Sequence, residues 1–351
     1  MAVNKGQKIT SVDFNELADS INKVFADNYP NSQPSGNPAT QSNQAFGWGN
    51  SAAEFAATGT RITASIVNGL VDRVNLSAEH TGSEYELDRV IKGQKITAGI
   101  WNDIETLIND ITPNKNTAAY GQTALTQLGT VVHNTPFTHD LVYTLNFRFE
   151  DYDAARHYFN SGSSLKFYLR QTGGGSEDAH WQGTYDKLGT VSLSLHNTLS
   201  TTANVISENK GFEDLNSSEQ LLLALSSRGS GYGYGGYGYG YGYGYGYGYG
   251  YGNPGNSYGY GYGYGYGYGY GYGYGGGGTH QILVKGSINP IDPAQGFSGP
   301  VQLTIRVYLH TSDTAQATGS HTLYVQSNKA TTKTSGDVTF SINNPAFSGN
   351  S

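Results

Sequence analysis

Tyrosine occupies every second position from Tyr237 to Tyr251, and again from Tyr258 to Tyr274, with glycine at each position between. Successive side chains of a strand point to opposite faces, so a strict period of two is a strand signal. The runs are separated by Gly252-Asn253-Pro254-Gly255-Asn256-Ser257. Pro254 presets φ at the second turn position and Gly255 supplies positive φ at the third, which is a type II turn over Asn253–Asn256. Setting Asn253 opposite Asn256 fixes the register. Tyr251 then faces Tyr258, Tyr249 faces Tyr260, Tyr247 faces Tyr262, and the pairing continues to Tyr237 with Tyr272. The expectation is a long β-hairpin from about residue 231 to 278, one face tyrosine and the other glycine. Each arm extends roughly 50 Å. Gly235-Gly236 breaks the phase, so regular pairing should end or bulge there.

Such a ribbon is weak alone. Each strand glycine costs about 0.5–1 kcal/mol relative to alanine, and two-stranded hairpins are marginal in water. The remedy is association through the glycine face, the tyrosine face or both. Flexible low-complexity chain is the competing reading of a Gly-rich tract. The alternation, the single central turn and the matched arms favour the hairpin. Arginine is nearly absent from the segment, which disfavours an RNA-binding tract.

The first 115 residues carry one motif three times. Gly6-Gln7-Lys8-Ile9-Thr10 precedes Phe14-Asn15, Leu17 and Ile21-Asn22. Gly59-Thr60-Arg61-Ile62-Thr63 precedes Val67-Asn68, Leu70 and Val74-Asn75. Gly93-Gln94-Lys95-Ile96-Thr97 precedes Trp101-Asn102, Ile104 and Ile108-Asn109. Thr10, Thr63 and Thr97 stand where an N-cap hydroxyl accepts a helix N–H, and the preceding isoleucines suit a hydrophobic staple. The apolar positions at i, i+3 and i+7 form one narrow helical stripe. Helices this short need partners. The unit reads either as a small helical domain or as a docking module for a larger assembly. Between the first two copies, residues 28–50 are rich in Asn, Gln, Ser, Pro and Gly, which suggests an arm or linker. Phe46-Gly47-Trp48 within it could plug a neighbour's pocket or pack locally.

From about Leu128 the hydrophobic period becomes two, in Leu141 to Phe149, Leu165 to Leu169 and Val191 to Leu195. It returns after the Gly–Tyr segment in Val301 to Leu309 and Val338 to Ile342. This is the pattern of half-buried antiparallel strands. Asp151 to Phe159 reads as a short Asp-capped helix stopped by Gly162, and Ser217 to Leu223 as another. The expected fold is mainly β with a small α-helical N-terminal region, its β-sandwich-like body interrupted by the Gly–Tyr hairpin. The divisions are 1–115 (helical repeat module), 116–228 and 279–351 (the two parts of the body), and 229–278 (hairpin insertion).

Catalytic signatures do not emerge. The nine histidines form no HExxH pair or close ligand cluster, and there is no GxSxG, P-loop or EF-hand spacing. Asp151 and Asp153 resemble paired carboxylates, but a helix cap with a first-turn acid explains them. Neither an enzyme nor a cofactor or metal site is expected. Asp and Glu total 27 against 20 Lys and Arg, so no electrostatic basis exists for binding nucleic acid. The chain lacks cysteine, which removes disulfides and thiolate ligands. The first residues have no apolar h-region and no long apolar run follows, so neither a Sec-type signal nor membrane insertion is expected.

Taken together, the repeated G-x-[KR]-I-T…N helix starts, the β-rich body around Phe149-Glu150-Asp151-Tyr152 and Phe159-Asn160-Ser161-Gly162, and the Gly-rich excursion resemble structural proteins of tailed bacteriophage virions. The resemblance is to tail-fibre, tail-tip or baseplate-associated proteins, and it covers most of the chain loosely. It implies a virion location, assembly in the host cytoplasm with release by lysis, and a homotrimer contacting other tail or baseplate proteins. The hairpin's need for partners points the same way. The leading expectation is host attachment, with Thr10, Thr63 and Thr97 in the docking module. The tyrosines nearest the turn (Tyr247, Tyr249, Tyr251, Tyr258, Tyr260 and Tyr262), with Asn253, Pro254, Gly255 and Asn256, would meet a host-surface glycan or protein. One alternative is an architectural neck, baseplate or capsid-surface component whose ribbon cements subunits. Another is a self-assembling extracellular fibril subunit.

Overall fold

A computed structural model describes residues 9–25, 47–202, 205–228, 279–312, 314–331 and 340–343. The chain is mainly β, with two antiparallel sheets and a few helices.

Three helices come first: α1 (Ser11–Phe25), α2 (Ala64–Thr81) and α3 (Ala98–Ile111). Their apolar stripes meet in one core that includes Phe14, Leu17, Ile21, Val67, Leu70, Val74, Trp101, Ile104 and Ile108. These are the positions that the repeated motif spaces at i, i+3 and i+7. Trp48 belongs to the same core. It is fully buried, its ring centroid lies 4.1 Å from that of His80, and its Nε1–H donates to the Lys115 carbonyl at 2.8 Å. The reading of Trp48 as a plug for a neighbour therefore gives way to packing within its own chain.

The β body follows, with β1 (Thr123–His133), β2 (Asp140–Phe149), α4 (Tyr152–Asn160), β3 (Ser164–Thr172) and α5 (Ser176–Leu188). Next come β4 (Val191–Leu193), β5 (Thr198–Ser200), β6 (Ile206–Ser207) and β7 (Gln220–Arg228). Last are β8 (Thr279–Pro290), β9 (Val301–Thr311), β10 (Ser320–Ala330) and β11 (Phe340–Asn343). One sheet runs β1-β10-β3-β4-β5 and the other β11-β2-β9-β8-β7-β6. Alternate residues of β2 (Leu141, Tyr143, Leu145, Phe147, Phe149) and of β9 (Val301 to Leu309) point into a core. Phe167 of β3, Leu193 of β4 and Val325 of β10 share it. Both sheets thus bury one face in a common apolar cluster, the usual answer to a one-sided hydrophobic strand.

Two expectations about helices are corrected. Residues 217–223 do not form a helix; Gln220 opens β7. A register shift between Leu221 and Leu223 lets Leu222 and Leu223 both be buried. That bulge hides the period of two behind a run of leucines. Conversely, α5 is a helix where none was expected. Its buried Trp181, Tyr185 and Leu188 recur at i, i+4 and i+7 behind a Gly173-Gly174-Gly175 lead-in.

Asp151 caps α4, its Oδ1 accepting from the Ala154 amide at 2.7 Å, and Asp153 pairs with Arg156 at 2.9 Å. The predicted tyrosine ladder, including Tyr247, Tyr249, Tyr251, Tyr258, Tyr260 and Tyr262, lies outside the described residues, as does the turn at Asn253, Pro254, Gly255 and Asn256.

Candidate functional site

The Gly–Tyr segment joins two strands that are already partners. β7 and β8 pair antiparallel from Gln220 opposite Gly286 up to Arg228 opposite Thr279, the residues that flank 229–278. This exit is clamped on several sides. The Thr279 amide donates to Ser312 Oγ at 2.9 Å, and its carbonyl accepts from the Ser312 amide at 3.1 Å. Lys187 Nζ donates to Ser227 Oγ at 2.7 Å. His280 Nε2 lies 2.7 Å from Glu177 Oε1, and Trp181 meets the His280 ring edge-on at 4.5 Å. Helix α5 thus supplies Glu177, Trp181 and Lys187 as a buttress along the base of the excursion.

A second polar network lies on α5 beside it. Asp178 accepts amide N–H groups from Gly175 and Gly319 at 2.8 Å and from Thr318 at 3.1 Å, and His321 Nε2 lies 3.0 Å from its Oδ1. Burial by itself would raise the Asp178 carboxyl, but these donors hold it below the usual carboxylate range. Burial lowers the His321 imidazole, with Asp178 opposing. The neutral ring donates to Asp178 and accepts at Nδ1 from the Tyr185 hydroxyl, 2.7 Å away. Burial pushes the Tyr185 and Tyr143 phenols well up. Asp178 and His321 have no exposed surface, so the network ties β10 to α5 instead of meeting a substrate. Among the described residues, no group of three or more His, Asp, Glu or Cys could hold a metal.

The helical module uses its repeats in a way the sequence reading missed. Thr63 and Thr97 accept the Ile66 and Ile100 amides at 3.4 Å. Thr10 accepts the Asp13 amide at 3.4 Å while Asp13 accepts the Thr10 amide at 2.7 Å, a reciprocal cap. Four of the repeated asparagines, those on α1 and α2, are backbone clamps. Asn15 accepts the Ala56 amide at 2.8 Å and donates to the Ala56 carbonyl at 3.0 Å. Asn22 does the same to Ala53, at 2.6 and 3.1 Å. On α2, Asn68 clamps Val90 at 2.7 and 2.9 Å, and Asn75 clamps Leu87 at 2.9 and 2.8 Å. The spacing is geometric. Seven helical residues rise about 10.5 Å and three extended ones about 10 Å, so asparagines at i and i+7 match residues three apart on an antiparallel segment. Each clamped segment leads through a short turn into the next helix.

The module and the Gly–Tyr exit lie at opposite ends of the body strands. Near the start of β1 the Ala119 amide donates to the His80 carbonyl at 2.8 Å, and His80 Nε2–H donates to the Ser161 carbonyl at 3.0 Å. Burial holds the His80 imidazole down at about 4, the Ser161 carbonyl opposing. Gly162 packs against Ala118 with φ +82°, where a Cβ would come within 2.2 Å of the Ala118 nitrogen. Ser161 and Gly162 lie just before β3, whose Ser164 faces Asn328 near the end of β10. At the other end of that ladder Thr172 faces Ser320. There the turn after β9 holds Thr279 and the loop before β2 holds Thr311, through the His139 carbonyl at 2.7 Å.

No protein-family model, curated protein or solved structure matches the chain. Among the described residues, no helix is long and apolar enough to cross a membrane.

Proposed function

We propose that this chain is a structural protein of a phage tail. In this reading the helical module docks it to the virion, and the β-sandwich-like body displays the Gly–Tyr hairpin toward the host. The observation that carries the reading is the polarity of the body: the module packs at one end of the strands and the excursion leaves from the other. An element that bridges an assembly and a distant surface needs that layout. The paired bases Arg228 and Thr279 suit a hairpin continuing the β7–β8 ladder. The body also offers one precedent for facing tyrosines. Tyr168 and Tyr324 are opposite in the β3–β10 ladder, with rings stacked 4.7 Å apart and 6° from parallel. A ladder of such pairs would create an aromatic strip far beyond the roughly 300–600 Å² usual for a monomer's largest apolar patch. Most of it would be covered by the other chains of a homotrimer, leaving the turn at Asn253–Asn256 and the outer tyrosines for a glycan or protein on the host.

The test replaces Tyr247, Tyr249, Tyr260 and Tyr262 by serine in the virion. Particles that assemble but lose adsorption are the expected result. Particles that fail to assemble would favour the architectural reading, in which the ribbon cements subunits. Normal assembly with normal adsorption would remove the strip from both accounts.

A further inference from the structure

Two of the three repeats are already linked by the same clamp. Helix α1 clamps the segment that leads into α2, and α2 clamps the segment that leads into α3. In each case the residue held by the first asparagine lies three before a glycine and six before an isoleucine: Ala56, Gly59 and Ile62, then Val90, Gly93 and Ile96. Both glycines have positive φ, +85° and +89°, with nothing near a Cβ, so conformation alone requires glycine there. Both sit third in a turn closed by the next amide, Thr60 to the Ala57 carbonyl at 2.9 Å and Gln94 to the Ile91 carbonyl at 3.0 Å. Ala56 and Val90 are buried in the module core.

The same spacing precedes α1, in Val3, Gly6 and Ile9. Ile9 packs against the core together with Ile62 and Ile96. The matching asparagine is Asn102, which occupies on α3 the place of Asn15 on α1 and Asn68 on α2, one residue after Trp101 as they follow Phe14 and Val67. All three pairs of helices are in contact, as a ring requires. We infer that the asparagine face of α3 is the docking site for the chain's own segment 2–5, with Asn102 clamping both backbone polar groups of Val3. The module is then a closed three-fold ring in which each helix holds the lead-in of the next. The inference does not depend on the phage reading.

The test is hydrogen–deuterium exchange of the full-length protein, read at single-amide resolution at Val3, with Ala56 and Val90 as internal references. Clamping predicts that the Val3 amide exchanges on the order of tenfold or more slowly than in an unstructured peptide. Protection should be independent of protein concentration. Asn102→Ala should abolish it while leaving Ala56 and Val90 protected. If that variant does not fold, the wild-type measurement still decides. Free-peptide exchange at Val3 in the folded wild type overturns the inference. Protection that disappears on dilution also overturns it, because the segment then docks on a second copy.

Discussion

Arg228 and Thr279 are backbone partners across β7 and β8, although residues 229–278 lie between them. The long excursion therefore starts and ends at one point of a finished ladder, and the body does not need it to close. Closure entropy grows only slowly with loop length, by about 0.6 kcal/mol per doubling. Replacing residues 229–278 by a short Asn-Gly turn should leave the melting temperature of the body unchanged within a few degrees or raise it. A variant that is unfolded by circular dichroism would place the segment in the core.

The asparagine clamps should be costly to break. Asn68→Ala strips both backbone partners from Val90, and Asn22→Ala does so for the buried pair at Ala53. Each substitution should destabilise the module by about 1–3 kcal/mol, measured by urea unfolding followed through tryptophan fluorescence at Trp48 and Trp101. Asn68→Asp should fare no better than alanine, since it keeps the acceptor but sets an oxygen against the Val90 carbonyl. An effect below the noise of the measurement would mean the clamps are incidental.

Acid should open the seam between module and body. His80 is held down to about 4 by burial, against an ordinary value of 6.5. A histidine whose folded value lies below its unfolded value sheds its proton on folding. Its contribution is complete above about 6.5 and is lost as pH falls toward 4, a loss on the order of 3 kcal/mol. His321, also lowered by burial, adds in the same direction. Stability should fall between pH 6.5 and 4, and His80→Gln should flatten that slope. A slope unchanged in the variant would assign the acid sensitivity elsewhere.

Much of the architecture was readable where packing is local. The alternation of Leu141 to Phe149 and of Val301 to Leu309 reports a one-sided burial that each strand meets regardless of its neighbour. The order of the sheets was not readable. That β2 pairs β9 and β1 pairs β10 depends on contacts between residues far apart in sequence. Residues 217–223, which overlap the start of β7, read as a helix because the bulge breaks the period, and α5 was passed over because its lead-in is three glycines. The asparagines stood in plain view in the repeats. Their partners, Ala53, Ala56, Leu87 and Val90, are recognised through backbone atoms and leave no mark in side-chain type.

Removing residues 1–115 should separate docking from folding. The body keeps β1, which starts at Thr123, and loses the seam contacts of His80 with Ser161 and Ala119. The truncated chain should remain folded by circular dichroism yet fail to enter particles. Normal incorporation would show that attachment resides elsewhere.

The most direct test of the polar arrangement is a cryo-EM map of the intact virion with this chain located in it. The account predicts the three-helix module in contact with other tail proteins, and residues 229–278 at the far end of the body, directed away from the tail. A map with the module exposed and the Gly–Tyr segment buried at the attachment point, or without this chain in the tail, would contradict it.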